Sequence, residues 1–140
     1  MRLRIDRRYA LLTVLYLAVI YGLSSIPDLS RAQHPLMLLI MNLGHAPLFG
    51  GLAFCVLMSL SGTLEAGWGR YGLAFVSSGA CGVLDEWHQS FVPGRYSSIG
   101  DFVLDLAGIG GMLLILRIRA VRNREWRNPD PRRHSEALRT

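Results

Sequence analysis

The sequence predicts an all-α membrane protein, a four-transmembrane-helix bundle with both the N-terminus and the C-terminus cytoplasmic. Three observations predict it. Apolar residues make up 51% of the chain and mean hydropathy is +0.29. Charge is gathered into two terminal blocks instead of being spread along amphipathic helices. Four apolar stretches follow one another, residues 9–26, 36–60, 71–88 and 99–116, each close to the roughly 20 residues that cross about 30 Å of hydrocarbon. The organisation that follows is a basic cytoplasmic arm at 1–8, a membrane domain at 9–116 and an Arg-rich, partly disordered cytoplasmic tail at 117–140.

The first stretch follows Arg2, Arg4, Arg7 and Arg8, as the apolar core of a signal peptide would. It is long for that role, no small-x-small cleavage site follows, and three comparable stretches come after it, so it reads as a span. The second stretch carries Pro47, which should bend its helix. Asp85 and Glu86 close the third stretch, whereas Asp101 and Asp105 open the fourth, all near ends that water can reach. Pro93 and Gly94 mark the turn between them. Tyr9, Trp68 and Tyr71 stand where interfacial aromatic anchors are expected. Cys55 and Cys81 both fall within spans and at different depths, which argues against a disulfide.

Orientation comes from arginine, since the chain has no lysine. Four of the 15 Arg precede the first stretch, Arg70 lies in the second connection and eight lie from residue 117 onward. An inside N-terminus therefore gathers thirteen of them in the cytoplasm, as positive-inside charge bias demands. The basic tail is then a topology determinant that also touches the leaflet surface, and no nucleic-acid partner is expected.

This topology brings the ionisable residues to the extracytoplasmic side: Asn42 and His45 on the second helix, Asp85, Glu86, His88 and Gln89 on the third, Arg95 in the loop, Asp101 and Asp105 on the fourth. Helical spacing puts Asp85, His88 and Gln89 in one arc with Ser78, Cys81 and Gly82. Asp101, Asp105 and Gly108 share a face of the fourth helix, beside Gly110 and Gly111, with Leu113 turned toward lipid. Gly44, Gly50 and Gly51 surround His45 on the second. Small faces of this kind let membrane helices approach closely. Four carboxylates against one arginine and two histidines require relief, from a shared proton, pairing to Arg95, a bound cation or a cationic ligand. His45, Asp85, Glu86, His88 and Asp101 offer metal-ligand atoms, but no compact motif such as HExxH is present, so neither metal nor cofactor is expected.

These residues carry a resemblance to the VanZ-like family of bacterial membrane proteins. It rests on residues 85–95, DEWHQSFVPGR, followed by Asp101, Asp105, Gly108 and Gly111, and on Asn42, His45, Pro47, Phe49 and Leu52 in an N-x-x-H-x-P arrangement. It spans residues 36 to 116. Two positions depart from the family pattern: Asp105 stands where many members carry Asn, and Phe49 where many carry Tyr. The resemblance implies a multi-pass protein of the bacterial cell membrane and a link to teicoplanin, a glycopeptide that carries an acyl chain and acts on lipid-linked wall precursors.

The expected function is an envelope protein whose outward polar pocket binds a lipid head group or lipoglycopeptide and so influences teicoplanin susceptibility. Its partners would be membrane lipids, a lipid-linked cell-wall precursor or the lipoglycopeptide. The alternative is a membrane-embedded enzyme acting on a lipid-linked envelope substrate, with Asp85 or Glu86 as base and His45 or His88 as partner. A transporter is disfavoured, because the cytoplasmic halves of the stretches lack polar residues to line a pathway.

Overall fold

The structure is a computed structural model that describes residues 5–27, 35–60, 67–95 and 97–127, with the side chains of 35–42 and 124–127 outside that description. It contains four helices: α1 (Arg7–Ser24), α2 (Pro35–Ser59), α3 (Trp68–Gln89) and α4 (Ile99–Arg127). Asp6 starts α1 by accepting the Arg8 N–H at 3.0 Å, which satisfies one orphan donor of the first turn. A proline at the first position of α2 lacks an N–H that the helix would leave unbonded in any case. The turn from α3 to α4 needs a left-handed residue, and Gly94 supplies it at φ 74°.

Consecutive helices run antiparallel, as the contacts between their ends show. Where α1 begins and α2 ends, the Asp6 N–H donates to the Ser59 carbonyl at 2.9 Å. At that same end Arg70, in the first turn of α3, donates from Nε and Nη2 to the Leu57 carbonyl at 3.1 and 2.8 Å. The guanidinium of Arg117 lies over the rings of Trp68 and Tyr71, 5.0 and 5.6 Å from their centroids. This is the basic end of the molecule. The opposite end, where α1 and α3 finish, holds the polar residues.

The most extensive interface joins α2 to α4. A Cβ added at Gly108 would stand 1.9 Å from the Ala46 carbonyl oxygen, and one at Gly50 would stand 3.1 Å from the Gly108 carbonyl oxygen. Backbone therefore meets backbone at this crossing, and glycine is a steric requirement. Gly51 admits the Tyr16 side chain of α1 in the same way. Gly44 and Gly111 have no such neighbour, and Gly110 is merely 3.8 Å from the Phe75 ring, so the close approach is confined to part of the glycine pattern. Phe49, Leu52, Leu57 and Ile109 fill the core beside it.

One expectation changes. Leu113 is 6% exposed and belongs to the core, so it does not face outward; its neighbour Leu114, at 59%, does. α4 runs past the apolar stretch to Arg127, because the Arg-rich segment has good helix formers and no breaker before Pro129. One described helix, Ile99–Asn123, is long and apolar enough by itself to cross a membrane, and the apolar Leu43–Ser59 is shorter. Arg7 and Arg8 dilute α1, and α3 spends Arg70, Asp85, Glu86 and His88 on its two ends. The tail beyond Arg127 lies outside the described residues. The two cysteines are free, as expected.

Gly108→Leu should cost more than the roughly 1–3 kcal/mol of ordinary overpacking, because the obstacle is backbone. Leu113→Ala should cost about 2–5 kcal/mol as a cavity in a packed core, whereas Leu114→Ala should stay within about 0.5 kcal/mol. Thermal unfolding in detergent measures all three. Equal losses at 113 and 114 would contradict this packing.

Candidate functional site

Adjacent positions on a helix point about 100° apart, and this spacing divides the acids of α3 between two clusters. Asp85 turns toward α1. Its Oδ1 accepts from the Ser24 hydroxyl at 2.5 Å and its Oδ2 from the Gln89 amide at 2.7 Å, so both oxygens are partnered. Both Asp85 and Gln89 are buried. His88, one turn beyond Asp85, has its Nε2 3.0 Å from the Ser25 hydroxyl, and its ring lies 4.6 Å from that of Tyr21. Between α1 and α3 runs a groove of about 270 Å³ lined by Leu17, Ile20, Tyr21, Cys81 and Leu84 together with Asp85 and His88.

Glu86 turns the other way, toward α2 and α4. His45 Nδ1 lies 2.9 Å from Asp105 Oδ1, the one ion-pair geometry among the described residues. Glu86 Oε2 accepts the backbone N–H of Ser98 at 2.8 Å, which ties the start of α4 to the end of α3. Donor atoms of His45, Glu86 and Asp105 all lie within 4.8 Å of one another. Asp101, half-buried one turn before Asp105, is close enough to act electrostatically on all three. His45 keeps its ring parallel to Phe49, with centroids 6.4 Å apart.

The single pocket expected from the sequence is therefore two clusters with α3 between them. Arg95 belongs to neither. Its Nη2 donates to the Leu23 carbonyl at 2.7 Å and its Nε to the Ser24 carbonyl at 3.4 Å, so it caps the last turn of α1 where unbonded carbonyls attract a cation. Pairing of Arg95 with the acids is thereby corrected. The side chain of Asn42 lies outside the described residues. Ser24, Ser25 and Tyr21 complete the first cluster and were not anticipated; the polar Ser24-Ser25 pair closing an apolar stretch was the available signal.

The chain matches no family model, no curated protein and no solved structure.

Arg95→Ala should cost about 1 kcal/mol, the order of a partly exposed hydrogen bond. Combined with Asp105→Asn, it should add to within about 0.5 kcal/mol, since the two residues share no partner. A double-mutant cycle on unfolding free energy checks this, and a coupling well beyond that margin would return Arg95 to the acid cluster.

Proposed function

We propose that this protein is a multi-pass bacterial membrane protein of VanZ-like type, with four spans and both ends cytoplasmic. Its α1–α3 groove takes the acyl chain of a lipid or lipoglycopeptide and presents Asp85 and His88 to the polar head. The observation that carries this reading is the joining, in one groove, of apolar walls to a buried carboxylate and a half-buried imidazole. A ligand with that division of polarity is amphiphilic, with a hydrogen-bond donor or cationic group at the junction.

The distribution of polarity supports the membrane setting. Val14, Leu15 and Val19 on α1, Val76, Val83 and Leu84 on α3, and Val103, Leu114 and Ile115 on α4 are exposed, while Ser78 and Asp105 are 0% exposed. A protein in water has little reason to place leucine and valine outside and aspartate inside. In lipid the same arrangement satisfies both, because ionisable groups turn to the interior. The basic end, with Arg70 and Arg117 beside Trp68 and Tyr71, then has the composition of a cytoplasmic interface.

The enzyme alternative draws on the other cluster. There the hydrogen-bonded His45 and Asp105 stand beside Glu86, a constellation suited to acid and base work on a lipid-linked substrate. Glu86 and His45 carry that alternative better than Asp85 and His88, whose polar atoms are already engaged with Ser24, Gln89 and Ser25.

Expression in a teicoplanin-sensitive Gram-positive host should raise the inhibitory concentration of teicoplanin several-fold and leave that of a glycopeptide without an acyl chain unchanged. Asp85→Asn should abolish the protection, with reporter fusions after Arg127 still reporting cytoplasm and fusions near Gly94 the outside. Protection retained by Asp85→Asn, or extended equally to the acyl-free drug, would contradict the groove. An extracytoplasmic C-terminus would overturn the orientation.

A further inference from the structure

We propose that His45, Glu86 and Asp105 form a binding site for a divalent transition-metal ion of the Zn²⁺ class within the contact of α2, α3 and α4. The site stands apart from the α1–α3 groove, and either can fail without the other.

The first support is geometric. One nitrogen and two carboxylates from three helices place donor atoms within 4.8 Å of one another. Tetrahedral donors bonded at about 2.0–2.2 Å to an ion lie about 3.3–3.6 Å apart, so the most separated pair would draw in by about 1 Å around it.

The second support is independent of that spacing. Asp105 is 0% exposed and its Oδ2 has no hydrogen-bond partner among the described residues; Glu86 is 7% exposed and its Oε1 has none either. A buried carboxylate oxygen without a partner loses its hydration with nothing in return. Arg95 is engaged with the carbonyls of α1 and does not neutralise either carboxylate. A cation bonded to both oxygens would satisfy them together. Gly82 keeps this space open, since a Cβ there would stand 3.3 Å from Asp105 Oδ2.

Charge and donor type select the ion. Two carboxylates balance a divalent charge, and the imidazole nitrogen favours a borderline transition ion over Mg²⁺ or Ca²⁺, which prefer all-oxygen shells. The Ser98 N–H bonded to Glu86 Oε2 fixes that carboxylate so that Oε1 is the ligating atom, the kind of outer support metal ligands usually have. Metal binding requires the ligating nitrogen of His45 to be unprotonated, so the Nδ1–Asp105 Oδ1 contact would be exchanged for bonds from both residues to the ion. Three protein ligands leave a position for water or a substrate oxygen, as catalytic zinc sites do.

Purified protein in detergent, stripped with EDTA and desalted, is titrated with ZnCl₂ while bound metal is counted by mass spectrometry and unfolding is followed by heating. One zinc per chain and a raised Tm are expected. Loss of an outer-shell partner alone weakens metal binding about 10- to 100-fold, so Glu86→Gln and Asp105→Asn should each weaken it by about 100-fold or more. His88→Gln should leave it unchanged, Asp85→Asn, which acts on Asp105 only through space, should weaken it far less than the ligand variants, and MgCl₂ or CaCl₂ should bind far more weakly. Should the ligand variants fail to fold, CoCl₂ added to the unaltered protein gives a second readout: visible ligand-field bands without a thiolate charge-transfer band. Absence of saturable zinc binding, affinity undiminished in Glu86→Gln and Asp105→Asn, equal loss in Asp85→Asn, tighter binding of Mg²⁺, or a thiolate band would each overturn the proposal.

Discussion

The close crossing of α2 and α4 is the constraint on which the rest of the structure depends. Ala46 and Gly108 meet backbone to backbone, and each lies within one turn of a chemically significant neighbour, His45 on one helix and Asp105 on the other. Any side chain at 108 would move the helices apart and with them the imidazole and the carboxylate. Glycine in a helix costs roughly 0.5–1 kcal/mol relative to alanine. Here that cost is offset by backbone contact along the largest interface of the molecule. The fold is thus organised around a polar contact made tight by small residues, with the apolar core of Phe49, Leu52 and Ile109 beside it.

α3 turns this pair into a two-sided arrangement. Its final turns carry acids at consecutive positions, so one helix serves a groove toward α1 through Asp85 and the α2–α4 crossing through Glu86. The two sides differ in how well their oxygens are satisfied. Asp85 has a partner on each oxygen, Ser24 and Gln89. Glu86 and Asp105 each hold one oxygen back. Buried polar groups left in that state are strong pointers to chemistry, since a merely structural network gains stability by completing its bonds.

Much of this was legible in the sequence because membrane-type patterning is coarse and strong. The four apolar stretches became four helices, Pro93-Gly94 became a turn, and His45, Asp85, Glu86 and Asp105 were assigned to one end. What could not be read depended on angles of a single residue. Leu113 and Leu114 are equally apolar, and the 100° between them decides which is core. The same angle separates Asp85 from Glu86 and makes two clusters of one. Arg95 was misassigned because charge counting treats carboxylates as the natural partner of a guanidinium, whereas the carbonyls at the end of α1 carry no formal charge and leave no mark in composition. Gly108 was recognised as a contact residue, but nothing distinguished it from Gly111, where an added Cβ would meet nothing within 4 Å.

The contact between His45 and Asp105 is the most direct measure of whether α2 and α4 cross as described. A double-mutant cycle with His45→Gln and Asp105→Asn, followed by thermal or denaturant unfolding of metal-free protein at neutral pH, isolates their coupling. A charge-assisted hydrogen bond between a half-buried imidazole and a fully buried carboxylate should give about 1.5–3 kcal/mol. A coupling below about 0.5 kcal/mol, the level found for residues without shared contacts, would mean that the two side chains do not meet and that the crossing at Gly108 is misplaced.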